Sequence, residues 1–167
     1  DLLQLHRIDP KVDRDEQFAV LRDLQQEGKV KALGLSQVSV EDLEAAAKFF
    51  TVSTVQNRYN LTDRSSEDVL KYSEDNGIGF IPWAPISAGE LAKQGGPVDE
   101  AAKRLGASTS QVALAWLLRR SPVMMPIPGT GSIAHLEDNL GAANISLDDA
   151  TFAELDAAGA AAAADAK

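Results

Sequence analysis

Short apolar runs alternate along the chain with longer stretches in which apolar residues recur every three or four positions. This is the grammar of repeated strand–helix units on a parallel sheet. The apolar runs fall at residues 2–5, 32–35, 54–56, 79–83 and 123–127. Between them lie helical segments with recognisable ends. Asp13 followed by Glu16 resembles a capping box, Phe18, Leu21 and Leu24 repeat along one face, and Gly28 supplies a stop. Ser39 with Asp42 opens a second helix bearing Leu43, Ala46 and Phe50, and Ser65 with Asp68 opens a third that ends at Asn76 and Gly77. After Trp83 a loop through Gly96 and Pro97 leads into two helical pieces broken near Gly106, the second over residues 110–120. Ser132 begins the helix that follows the last apolar run.

About five strand–helix units result from this reading. A closed (β/α)₈ barrel needs eight and roughly 250 residues. The alternation therefore predicts an α/β fold, either part of a parallel (β/α)₈ TIM barrel or a doubly wound open sheet. The first apolar run starts at residue 2 with no turn or cap ahead of it, so upstream sequence is expected to be missing through an artificial or proteolytic cut. At the other end, residues 157–167 are nearly all alanine around Gly159 and show no apolar face to dock, so a frayed tail is expected there.

Charge narrows the function. With 25 acidic and 16 basic residues the net charge is −9, which repels a polyanionic backbone and argues against nucleic-acid binding. No apolar run approaches the roughly 20 residues that span a bilayer, and the amino terminus lacks the basic flank and apolar core of a signal peptide. The reading is a cytoplasmic protein without a membrane partner. The chain has no cysteine and only two histidines, His6 and His135, so no metal site is expected.

Candidate chemistry sits where the runs end, because in parallel α/β folds the loops after the strands open on one face. The five ends carry His6, then Ser36 and Gln37, then Gln56 and Asn57, then Trp83, and finally Gly129, Thr130 and Gly131. Primary amides can pair with a carboxamide, an indole can stack on a heteroaromatic ring, and a glycine-rich turn at a helix N-terminus offers N–H groups to phosphate. Together these suggest a nucleotide with an amide-bearing ring. Taken singly, each residue has an ordinary structural reading: a hydrogen-bonded histidine, loop-capping amides, a core tryptophan, a plain turn. Tyr59 and Tyr72 invite assignment as acids, but one lies beyond its strand end and the other within a helix, which favours structural roles. Residues 129–134 (GTGSIA) also fit a dinucleotide fingerprint, yet too little chain follows to build the sheet that fingerprint opens.

The wording of these segments resembles the aldo-keto reductases up to about Gly159. Residues 1–6 (DLLQLH) are similar to the family's fourth-strand segment, 28–36 (GKVKALGLS) to the fifth, 55–60 (VQNRYN) to the sixth, 80–85 (FIPWAP) to the seventh and 126–130 (PIPGT) to the eighth. The resemblance implies that residues 1–158 are the C-terminal portion of such a barrel, with 159–167 as an Ala-rich tail. It also implies NADP(H)-linked reduction of aldehydes or ketones, with NAD(H) as the alternative cofactor. Carried over residue by residue, it assigns the carboxamide to Ser36, Gln37 and Gln56, with Gln37 standing where the family has asparagine. Trp83 becomes the ring-stacking aromatic, and residues 84–91 the pyrophosphate loop, including Ser87 and Leu91. Thr130 matches a phosphate contact, and Asp138 and Asn139 match the adenine-side pair. Gly129 and His135 stand where many members carry the basic residues that select a 2′-phosphate.

Of the family's catalytic Asp, Tyr, Lys and His, only the histidine is matched, by His6. The piece alone is therefore expected to be inactive. Its expected partners are a small-molecule carbonyl substrate in the full-length protein and a second copy or the missing N-terminal half. The alternatives are a nicotinamide-binding regulatory subunit and a non-catalytic half-barrel that self-associates.

Overall fold

A computed structural model describes residues 1–87 and 89–165. They form two compact units, the first comprising residues 1–57 and 66–81, the second residues 58–65 and 82 onward.

The first unit holds β1 (Leu2–Leu5), α1 (Arg14–Gln26), β2 (Ala32–Ser36), α2 (Val40–Ala46), β3 (Val52–Gln56), α3 (Glu67–Asn76) and β4 (Gly79–Phe80). The strands lie in the order β1-β2-β3-β4, every pair parallel, as helical crossovers require. Caps set the helix starts. The Asp13 carboxylate accepts from the backbone N–H groups of Asp15 and Glu16, and Ser39 with Asp42 forms a reciprocal capping box. Gly77 ends α3 in the left-handed conformation, at φ 65°. The start of α3 departs from expectation: Ser66 takes the cap position, while the Ser65 hydroxyl donates to Asp63.

Alternation divides the residues of this sheet into two sets. Leu33, Leu35, Val55 and Phe80 are fully buried, and so are Phe18, Leu43, Ala46 and Leu70 of the helices or very nearly so. Each large side chain of this kind contributes about 1.5–3 kcal/mol on burial. The other set starts with Leu2, Ala32 and Val52 and turns polar toward the C-terminal ends of the strands. Gln4, Gly34 and Thr54 share one row across three strands, and the Gln4 side-chain amide donates to Thr54 Oγ1 at 3.0 Å. A Cβ at Gly34 would stand 2.2 Å from that oxygen and 2.9 Å from the Thr54 carbonyl, so the row closes only over glycine.

The second unit holds a 3₁₀ turn (Gly89–Ala92), α4 (Pro97–Leu105), α5 (Thr109–Arg120), α6 (Ile133–Gly141), a second 3₁₀ turn (Ala142–Asn144) and α7 (Asp149–Asp165). Its centre is the fully buried Trp116, flanked by Tyr59 at 6.1 Å and Phe152 at 6.3 Å, with the Arg64 guanidinium 4.2 Å from its ring centroid. Two expectations fail here. Residues 123–127 form no strand among the described residues, because Pro122, Pro126 and Pro128 lack the N–H groups a ladder needs. Nor do the residues from 157 to 165 fray, since α7 runs through them to Asp165.

What holds that helix is close approach and charge. A Cβ at the buried Gly159 would lie 2.3 Å from the Leu61 carbonyl oxygen. Arg64 pairs with Asp156 at 3.1 Å, Arg104 with Glu154 at 2.8 Å, and Arg119 with Asp149 and the Leu147 carbonyl. Small side chains are a condition of docking rather than a sign of its absence.

Alanine is worth about 1 kcal/mol more than glycine inside a helix. Gly159→Ala should nevertheless lower stability, by about 1–3 kcal/mol, because the added methyl meets backbone rather than a movable side chain. Urea denaturation of both chains checks the sign; a rise in the midpoint would refute the close contact.

Candidate functional site

In the first unit, parallel pairing brings the strand ends to one edge. Leu5 lies opposite Leu35, and Ser36 opposite Gln56, so His6, Ser36, Gln37 and Gln56 line the C-terminal edge. Two-residue alternation puts Ser36 and Gln56 on the face that carries Gln4, Gly34 and Thr54, and His6 follows directly on the end of β1. Ser36 is 4% exposed, and its hydroxyl donates to the Gln56 carbonyl at 2.9 Å. The Gln37 N–H donates to the same carbonyl at 3.0 Å. With its proton so used, the Ser36 oxygen can still accept from an amide N–H. The Gln56 side chain is half-buried, and those of His6 and Gln37 are exposed.

Gln37 is in the left-handed region at φ 54°, an unfavourable conformation for a residue with a Cβ. The next residue is held fast. Asn57, 4% exposed, accepts from the Val38 N–H at 3.2 Å and donates to the Val38 carbonyl at 2.8 Å and the Ser66 hydroxyl at 3.3 Å. Its amide therefore acts as a backbone mimic that fixes the loop after β2. Of the two amides at this strand end, Gln56 faces outward chemistry and Asn57 does not.

In the second unit, Trp83 is half-buried and pairs with Arg58 in an isolated parallel bridge. Ala84 follows at φ 55°, again left-handed without being glycine. The buried Asn60 secures it, donating to the Ala84 carbonyl at 3.1 Å while accepting from the Thr62 N–H and hydroxyl. Ala84, Pro85, Ile86 and Ser87 share a hollow of about 370 Å³ with Ile127, Pro128 and Gly129. Ser87 and Gly129, far apart in sequence, thus line one space.

The first turn of α6 is partly self-satisfied. Thr130 Oγ1 accepts from the Ser132 N–H at 3.1 Å, and Ser132 Oγ accepts from the His135 N–H at 3.4 Å. The turn therefore offers fewer N–H groups than its glycines suggest. Gly129, Thr130 and His135 are exposed, whereas Asn139 is buried and Asp138 accepts from the Ser108 hydroxyl of α5 at 2.7 Å. Leu91 is half-buried in the first 3₁₀ turn. Tyr59 is fully buried, and burial pushes its phenol above the usual range, against the opposing pull of Arg64 and Arg120. It is a core residue. Asn57 plays the loop-capping role that is the ordinary reading of an amide at a strand end, whereas Arg58 and Asn60 carry no signal in the sequence beyond lying just after a strand.

The model of the Aldo/keto reductase family matches residues 1–160. An uncharacterized oxidoreductase of Schizosaccharomyces pombe is 52% identical over 159 residues, covering 95% of this chain and 52% of that protein. Pyridoxine 4-dehydrogenase of Escherichia coli is 38% identical over 139 residues, covering 83% of this chain and 48% of that protein. Among solved structures, an aldo-keto reductase from Klebsiella pneumoniae in complex with NADPH matches with a TM-score of 0.84 at 26% identity, over 94% of this chain and 57% of that one. A thermostable aldo-keto reductase in complex with the inhibitor epalrestat matches with a TM-score of 0.87 at 28% identity, over 95% and 59%. The fold is thus part of a parallel (β/α)₈ barrel, and the chain spans about half the length of the curated relatives it matches.

Asn57→Asp keeps the shape but replaces a donor with a second acceptor facing the Val38 carbonyl. It should destabilise the fold by about 2–3 kcal/mol, the range for an unsatisfied buried polar group. Amide exchange should also accelerate around Val38. Unchanged protection there would show that the clamp does not hold the loop.

Proposed function

This chain belongs to the aldo/keto reductase family, and from that premise we propose that it is the cofactor-holding C-terminal portion of a nicotinamide-dependent reductase of aldehydes or ketones. The observation that carries the reading is the C-terminal edge of the parallel sheet that His6, Ser36 and Gln56 share, with Ser36 and Gln56 on one face. A carboxamide needs both donors and acceptors, and that edge supplies an acceptor at Ser36 Oγ and a complete amide at Gln56. The donor set fits a nicotinamide.

In this reading Trp83 stacks on the ring, and the hollow beside Ser87 and Gly129 takes the pyrophosphate, with Thr130 and Leu91 along its path. Gln37 reaches the carboxamide from its left-handed position, while Asp138 and Asn139 lie on the adenine side. When bound, the reduced cofactor supplies a hydride to the carbonyl carbon. His6 orients the carbonyl oxygen. Proton delivery falls to the family's tyrosine, aspartate and lysine, for which residues 1–167 offer no match.

NADP(H) is the favoured cofactor, as in the Klebsiella pneumoniae relative solved with NADPH. Discrimination against NAD(H) is weak, because Gly129 and His135 stand where many relatives carry fixed cations. Residues 1–158 act as the barrel portion. Leu2 and Leu3, 43% and 38% exposed on the edge strand β1, favour covering by the N-terminal half or by a second copy.

Two measurements test this. The purified chain should give no carbonyl reduction with either cofactor, and turnover abolished by His6→Ala would overturn the reading of an incomplete catalytic set. Loss of a stacking surface is worth on the order of 1 kcal/mol beyond area burial. Calorimetry should therefore show Trp83→Ala weakening NADPH several-fold, and unchanged affinity would remove Trp83 from the site.

A further inference from the structure

The ring of Trp83 already has a neighbour. The guanidinium carbon of Arg58 lies over it at 5.3 Å from the centroid, inside the range in which a cation is drawn to an indole face. Arg58 is itself anchored, with Asp63 Oδ2 2.9 Å from its Nε. Asp63 is tied back to Asn60 by two backbone hydrogen bonds of 3.1 and 3.3 Å, and Asn60 holds the carbonyl of Ala84. Residues 58–63 thus form a bracket that grips the ring of Trp83 at one end and the residue after it at the other.

We propose that Arg58 is a positioning residue that fixes the Trp83 ring, leaves its opposite face to the nicotinamide, and biases the site toward the reduced form of that ring. The inference rests on the reading of Trp83 as the stacking platform. Its physical basis is a difference in charge: the oxidised nicotinamide is a cation and the reduced ring is neutral. A guanidinium on one face of an indole draws the π density toward itself, so the far face attracts a second cation less. Direct repulsion through the thin aromatic layer acts in the same sense. Asp63 moderates the effect without removing it, because its carboxylate bonds the Nε edge of the guanidinium whose carbon stands over the ring.

The test is calorimetric titration of the chain with NADPH and NADP⁺, alongside Arg58→Gln, Arg58→Lys and Trp83→Ala. The wild type should bind NADPH more tightly than NADP⁺. Arg58→Gln should reduce that preference by about threefold or more, the scale of one partly screened charge. Arg58→Lys should keep most of the preference while weakening both forms together. A merely structural role for Arg58 would leave the ratio untouched. The proposal alone fails if binding depends on Trp83 but Arg58→Gln leaves the ratio unchanged, or if Arg58→Gln tightens both forms, which would mean that the guanidinium competes for the stacking face. If neither cofactor binds, or Trp83→Ala changes neither affinity, the platform reading fails and takes this inference with it. A readout independent of cofactor is the Arg58 Nε–H resonance of the unliganded chain. It should lie upfield of the other arginines and return toward them in Trp83→Ala, and an unshifted resonance overturns the proposal even if the Arg58 variants fold poorly.

Discussion

A buried primary amide must satisfy every donor and acceptor it carries, and this chain meets that demand twice just past β3 by spending the amides on loop backbone. In the first unit Asn57 locks Val38, the residue after the left-handed Gln37; in the second Asn60 locks Ala84, itself left-handed. Both strained positions adjoin residues assigned to the nicotinamide. Strain of order 1–3 kcal/mol persists only where the surroundings over-determine it. The asparagines supply that determination, and the proposed site inherits loops whose shapes are fixed before ligand arrives.

The polar row across β1, β2 and β3 belongs to the same economy. With glycine at position 34, Gln4 and Thr54 meet directly over the middle strand, and the two outer strands are tied one step below the edge that carries His6, Ser36 and Gln56. A register slip of one residue would exchange this row with Leu33 and its neighbours and turn apolar side chains to the site. Register and site chemistry are therefore one constraint.

Sequence periodicity was enough to place the four paired strands, the caps at Asp13, Ser39 and Ser132, and the strand-end residues His6, Ser36 and Gln56, because each depends on local pattern. It misleads at residues 123–127, where apolar character outweighs Pro126 and the flanking Pro122 and Pro128, which deny a ladder its donors, and at the alanine-rich end, where an absence of large side chains is no absence of packing. Asn57 was legible only as one of two amides at a strand end, and Arg58 and Asn60 were not legible at all. Their partners lie 19 to 25 residues away, brought near by the crossovers, and no pattern within residues 57–60 distinguishes a clamp from a polar loop.

The docking of α7 has a thermodynamic signature of its own. Beyond Leu155 the helix is held by the Arg64–Asp156 pair and by the approach of Gly159 to Leu61, with little large apolar surface covered. Heat-capacity change follows apolar area. Release of these last turns would therefore leave little calorimetric trace and would vary little with temperature, while ionic strength, which screens the part-exposed Asp156 end of the Arg64 pair, would help set how firmly they stay in place.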